Sequence, residues 1–190
     1  MRLLLASTSP YRRAQLERLS LTFTQRAPNV DEDVLMGSGQ APETIALALA
    51  RAKAEALGSD DSFVLGGDQL VALDDDILGK PGSAAAARAQ LGRLAGRTHR
   101  LISAYALRAP DGHVDADVHV HEMTVRALTA EEIARYVEAD SPLDCCGSYR
   151  IEALGISLFE SIRGDDPSAI EGLPLMSVCA ALRRAGFPVP

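Results

Sequence analysis

Serines, arginines, lysines and carboxylates recur along this chain in the mix that phosphate chemistry requires. Ser7-Thr8-Ser9-Pro10-Tyr11-Arg12-Arg13 follows the apolar run Leu3-Leu4-Leu5. Ser9 suits a helix cap and Pro10 suits the first helical position, where no backbone donor is needed. Ala14, Leu16 and Leu19 then recur at helical spacing. A strand, a tight loop and a helix would aim backbone N–H groups and a positive helix end at one spot, which favours an anion. Arg12 and Arg13 add two planar, permanently charged forks that match phosphate oxygens. The competing account is a capped helix with two solvated arginines, and the rest of the chain has to decide.

Four further spots bear on that choice. Asp31-Glu32-Asp33 reads as an acidic loop. Asp68 follows Gly66-Gly67 at a break in an otherwise apolar strand. Lys53 lies on an Ala-rich helix, and Lys80 sits in the tight loop Gly79-Lys80-Pro81-Gly82. Cations of this kind hold and neutralise phosphate oxygens. Carboxylates hold a hard divalent ion such as Mg²⁺, or take a proton from attacking water.

Several other chemistries are excluded. The phosphate-loop pattern GxxxxGK[ST] fails, because Pro81 follows Lys80 and Asp74 stands where the first glycine belongs. Neither GxGxxG nor GxSxG is present. His119 and His121 share a strand face but lack a third ligand, so they read as an exposed sheet face; His99 and His113 read as surface residues. Three cysteines, two of them adjacent, make no disulfide framework and no zinc spacing. Cys145, Cys146 and Cys179 are expected to be reduced, partly buried thiols.

The elements that must position these groups alternate. Strands are expected at 3–5, 21–26, 62–73, 77–78, 98–108, 114–128 and 156–162. Helices are expected from Pro10, over 42–57, 83–94, 129–137 and 175–185. Thr129 with Glu132 forms a capping-box pattern. Early alternation followed by a long hairpin predicts an α/β fold with a mixed, twisted sheet flanked by helices. With 190 residues and no linker, one domain over 1–190 is expected. A net charge of −7 argues against a nucleic-acid polymer or an anionic membrane as partner. No run reaches membrane-spanning length and no signal-peptide pattern opens the chain, so a cytoplasmic location is the default expectation.

LLLASTSPYRRAQLERL, NVDED, ARAKAEAL, LGGDQLV, ILGKPG and CCGSYRIEALGISLFESIRGDDPSAIEGLPL together resemble the Maf family of nucleotide pyrophosphatases. The resemblance runs from the first residues to about Arg184, with the motifs in family order. It implies hydrolysis of a nucleoside triphosphate to the monophosphate and pyrophosphate, with a divalent metal, Mg²⁺ or Mn²⁺. It also implies a mixed-sheet fold related to the inosine-triphosphate pyrophosphatases, and often a homodimer. Carried over by position, Asp68 is the catalytic carboxylate and a metal ligand with Glu32. Ser7, Arg12 and Arg13 fall on the phosphate-binding loop, with Lys53 and Lys80 on polar cleft positions that meet phosphate charge.

Tyr11, Gln69 and Glu152 depart together from the pattern of family members that act on dTTP and UTP. They are similar instead to the branch that acts on 7-methyl-GTP, which usually carries Trp where this chain has Tyr11. An aromatic face attracts the cationic methylated guanine, and a carboxylate accepts from guanine N1–H and N2–H₂ together. Two alternatives are a dTTP/UTP-preferring pyrophosphatase and a non-catalytic nucleotide-binding regulator of division.

Overall fold

The computed structural model describes residues 1–190. The opening apolar run forms β1 (Arg2–Ala6), and α1 (Pro10–Glu17) starts where Ser9 caps it, Ser9 Oγ accepting from Arg12 N at 3.3 Å. Then come β2 (Thr24–Arg26), α2 (Glu32–Met36), α3 (Pro42–Ala56), β3 (Ser62–Leu73), β4 (Asp76–Leu78) and α4 (Ala84–Leu94). The chain continues through β5 (Thr98–Arg108), β6 (Val114–Val125), α5 (Ala130–Asp140), β7 (Phe159–Arg163) and α6 (Leu175–Arg184). Single 3-10 turns lie at Cys146–Ser148, Leu154–Leu158 and Pro167–Glu171.

The sheet is mixed, as the alternation predicts. Its order is β2-β1-β3-β5-β6-β7, with β4 also paired to β3. Strand β1 runs parallel to β2 and β3, β4 is antiparallel to β3, and β7 is antiparallel to β6. The chain divides into two compact units: Met1–Gln69 with Ser103–His119 and Asp166–Pro190, and Leu70–Ile102 with Val120–Asp165. All the boundaries but the last fall inside β3, β5 and β6, so no change of composition marks those crossings. The first unit packs Leu3, Leu5, Leu16, Leu65 and Tyr105 against Leu173, Val178, Leu182 and Phe187. In the second, Val71, Leu91, Leu94, Met123, Ile133 and Tyr149 are buried. The capping box of α5 is present in both directions, Thr129 Oγ1 accepting from Glu132 N and Glu132 accepting from Thr129 N.

Four local expectations are corrected. The acidic segment is a short helix rather than a loop, because Asp31 caps it by accepting from Asp33 N at 3.2 Å. Strand β3 continues through Gly66-Gly67-Asp68 without a break. The late strand starts at Phe159, since residues 154–158 turn back and Gly155 N donates to the Arg150 carbonyl. His99 and His121 are buried, not surface residues, whereas His113 is exposed. The three cysteines form no disulfide and are half-buried, as expected.

Candidate active site

The site grows from two parallel strands. The β1–β3 pairing ends with Ala6 opposite Gly66. Ser7 and the start of α1 follow on one strand, and Gly67-Asp68-Gln69 on the other. Carboxyl ends of parallel strands are where α/β sheets place their ligands.

Gly66 explains how a lysine comes to this point. A Cβ there would lie 2.3 Å from the Ala50 carbonyl oxygen and 2.8 Å from Ala54 N. Only glycine lets α3 approach β3 so closely. Helix α3 turns Ile45, Ala46, Leu49, Ala50, Lys53 and Ala54 inward, so Lys53 lies in the buried stripe. Its ammonium donates to Asp68 Oδ1 at 2.6 Å and lies 2.7 Å from Glu32 Oε1. Asp68 is 5% exposed, and its Oδ2 is buried with no hydrogen-bond partner. Burial pushes the Asp68 carboxyl above the usual carboxylate range, against the opposing pull of Lys53 and Arg12.

Arg12 reaches the same region from α1. Its Nε donates to the Gly172 carbonyl at 3.1 Å. A Cβ built on Gly67 would lie 3.5 Å from that Nε. Arg13 points its bonds elsewhere, donating to Glu17 at 2.9 Å and to Gln25 Oε1 at 3.5 Å. Ser7 is buried and accepts from Ser9 N at 3.1 Å, which shapes the loop before α1. Tyr11 is half-buried on the first turn of α1. Gln69 uses its amide nitrogen on three acceptors: Ser103 Oγ and the carbonyls of Ala169 and Ile170, each at 3.0 Å.

The structure therefore brings Glu32, Lys53 and Asp68 into one ion-paired group, with Arg12 acting on Asp68. Lys80 and Glu152 belong to the other unit, where both are exposed. Glu152 sits in a stretch held from below by Arg150, whose guanidinium donates to Asp140 Oδ1 and to the Asp140 carbonyl, while Arg150 N donates to Tyr136 Oη at 3.1 Å.

Sequence reasoning missed Gln15 and Asp166. Gln15 is fully buried on α1 and bonds Ser168 and Leu173, and Asp166 accepts from Met176 N at the start of α6. A glutamine between two apolar helix positions and an aspartate before proline were the available signals. The lysine inside an apolar helical stripe was another, marking Lys53 as buried.

A divalent cation can be tested against these donors. The partnerless Asp68 Oδ2 and the half-exposed Glu32 carboxylate offer two hard oxygens. No cluster of three or more acidic, histidine or cysteine side chains exists for a cage of protein ligands alone. Two carboxylates fit Mg²⁺, which keeps waters and completes its shell with substrate phosphates.

Relatives named 7-methyl-GTP pyrophosphatase are 46% identical in Xanthomonas campestris pv. campestris, 47% in Xanthomonas oryzae pv. oryzae and 43% in Aromatoleum aromaticum. Each alignment covers 100% of this chain and 98 to 99% of the relative. Among solved structures, a nucleoside-triphosphatase, dITP/XTP pyrophosphatase from Mycobacterium abscessus aligns over 99% of this chain and 98% of its own, at 19% identity and a TM-score of 0.48. The Maf-like protein model matches residues 2–185. A match of that extent, covering nearly the whole chain, establishes that this protein belongs to the Maf-like family.

Proposed function

We propose that the protein is a nucleoside triphosphate pyrophosphatase that hydrolyses 7-methyl-GTP to 7-methyl-GMP and pyrophosphate. The observation that carries the reaction is Asp68: one carboxylate oxygen held by Lys53, the other buried without a partner, in a group whose proton affinity is raised. Water attacks the α-phosphorus, and its oxygen forms the new P–O bond. The α–β bridging oxygen leaves with pyrophosphate. The proton of the water passes to Asp68 Oδ2, for which a raised pKa is an advantage. Lys53 keeps the carboxylate aimed while Arg12 and the N-terminus of α1 hold phosphate oxygens. Arg13 joins them by exchanging its exposed pairing with Glu17, a contact worth roughly 0.2–1 kcal/mol. Ser7 shapes the loop, and Lys80 adds phosphate-neutralising charge.

Glu32 and Asp68 would hold the divalent cation, which when bound neutralises charge on the phosphate oxygens. A carboxylate oxygen has two lone pairs, so Asp68 can serve both cation and water. For the base, Tyr11 supplies an aromatic face, worth about 0.5–2 kcal/mol against a cationic ring. Glu152 accepts from guanine N1–H and N2–H₂, and its charge complements the methylated ring. The identity of the relatives over the full chain supports this choice of base.

The test is pyrophosphate release from 7-methyl-GTP, GTP, dTTP, UTP and CTP with Mg²⁺ or Mn²⁺. The expected result is 7-methyl-GTP fastest, with turnover abolished by EDTA and restored by adding metal. Faster dTTP and UTP would overturn the base reading while leaving the reaction. Binding without turnover of any of them would overturn the reaction.

A further inference from the structure

The segment from Asp166 to Leu173 takes no part in the chemistry above, yet the buried Gln15, Ser103 and Asp166 and the half-buried Gln69 all hydrogen-bond to it. Asp166 accepts from Ser168 N at 3.0 Å and from Ser168 Oγ at 2.5 Å. Gln15 Nε2 donates to the carbonyls of Ser168 at 2.7 Å and Leu173 at 3.2 Å, and its Oε1 accepts from Leu173 N at 2.9 Å. Gln69 Nε2 donates to the carbonyls of Ala169 and Ile170, and Ser103 Oγ donates to Ala169 O at 2.7 Å.

What this grip holds in place is the Gly172 carbonyl. Gly172 has φ +135°, a conformation that side chains rarely adopt, and a Cβ there would lie 3.2 Å from Arg12 Cγ. Its carbonyl takes the Nε hydrogen of Arg12. A guanidinium is planar, so fixing Nε fixes the plane in which the terminal nitrogens present their hydrogens. Neighbouring carbonyl oxygens require a donor at position 69, which identifies the amide nitrogen as the atom facing them.

We propose that Gln69 is a positioning residue that acts through Arg12: it clamps the Ala169 and Ile170 carbonyls and so sets the Gly172 carbonyl that orients the Arg12 guanidinium on the triphosphate. The inference rests on the reading of Arg12 as a phosphate-holding group. It also changes what Gln69 does for selectivity. A residue that orients a phosphate-binding arginine affects all bases alike, whereas one that touches the base changes their ratio.

A double-mutant cycle with Mg²⁺ tests this, using Gln69→Met, Arg12→Lys and the combined variant, with kcat/KM measured for 7-methyl-GTP and GTP. Gln69→Met keeps side-chain length and loses the donors. It is expected to lower kcat/KM about tenfold for both nucleotides, because the Ile170 carbonyl loses this donor and the Ala169 carbonyl keeps only Ser103 Oγ and Gly172 N. In the Arg12→Lys background, where the Nε link is already gone, the same change is expected to cost less than about twofold. A full tenfold loss in that background, or a shift in the 7-methyl-GTP to GTP ratio, would overturn the inference alone. If circular dichroism shows Gln69→Met unfolded, Ser103→Ala takes its place in the cycle, and additivity with Arg12→Lys overturns the inference in the same way. Wild-type turnover by both Arg12→Lys and Arg12→Ala would overturn the phosphate-holding reading, and the inference with it.

Discussion

Asp68 and Lys53 show how a single buried pair can be set up for chemistry. The lysine occupies only one carboxylate oxygen, so the pair does not close on itself. Asp68→Asn keeps the shape and removes the proton acceptor. It is expected to lower kcat by about 10²–10⁴, the usual contribution of a positioned base, with nucleotide binding retained in a fluorescence or calorimetric titration. Because burial raises the Asp68 pKa, the carboxylate charges at a higher pH than an ordinary one. In the metal-free protein, a titration of the Asp68 carboxyl followed by NMR should therefore find it protonated above the normal carboxylate range, and titration within that range would show that burial does not set its proton affinity. At the base end, Glu152→Gln exchanges one acceptor for a donor and removes the charge. The hydrogen bonds to N1–H and N2–H₂ are common to both nucleotides, so the substitution should reduce the preference for 7-methyl-GTP over GTP through the lost charge alone, by about fivefold or more, a loss of about 1 kcal/mol or more. An unchanged ratio would sink that role.

At the scale of elements, the contacts between α3 and β3 decide where Lys53 goes. Gly66→Ala would drive a methyl into the Ala50 carbonyl, forcing the helix off the strand and the ammonium away from Asp68. Both thermal stability and turnover should fall, whereas Gly92→Ala, on α4 with open space around it, should leave turnover intact. The α5 capping box is a separate, local device. Thr129→Ala should cost about 1 kcal/mol in urea unfolding and leave kcat unchanged. Much of this scale was legible. Ser9-Pro10, Ser83 and Thr129-Glu132 announce helix starts because capping is local chemistry. The continuity of β3 was not legible: two glycines beside an aspartate look like a turn, and only the helix pressing on Gly66 explains why they are a strand.

For the molecule as a whole, His99, buried in the second unit, couples stability to pH. His99 is 2% exposed, shares a 2.9 Å hydrogen bond with Tyr149 Oη, and packs beside the Phe159 ring. Its Nδ1 has no partner. Burial pushes its pKa down to about 4, so the folded protein holds it neutral. A depressed histidine stabilises fully above its unfolded pKa of about 6.5, and that contribution fades as pH falls toward about 4. The loss across that window should be about 3 kcal/mol at most, read as a falling urea midpoint, and His99→Gln should flatten the dependence. No helix is long and apolar enough to cross a membrane.

The sequence by itself determined the order of elements apart from the short helix α2, most of the helix caps, the mixed sheet and the motifs that identify the family. These depend on neighbours a few residues apart, where propensity, periodicity and turn chemistry act directly. The tertiary structure decided what each charged group is for. Lys53 and Asp68 are fifteen residues apart and meet only because Gly66 admits α3. Arg12 and Gly172 are 160 residues apart, and Gln69 and Ile170 are 101. Arg12 and Arg13 are adjacent and chemically identical, yet one is held by a distant carbonyl and the other by a glutamate on its own helix. Burial made the same kind of decision for His99, since the same residue type is neutral in a core and chargeable in water, and no local pattern reports which it will be.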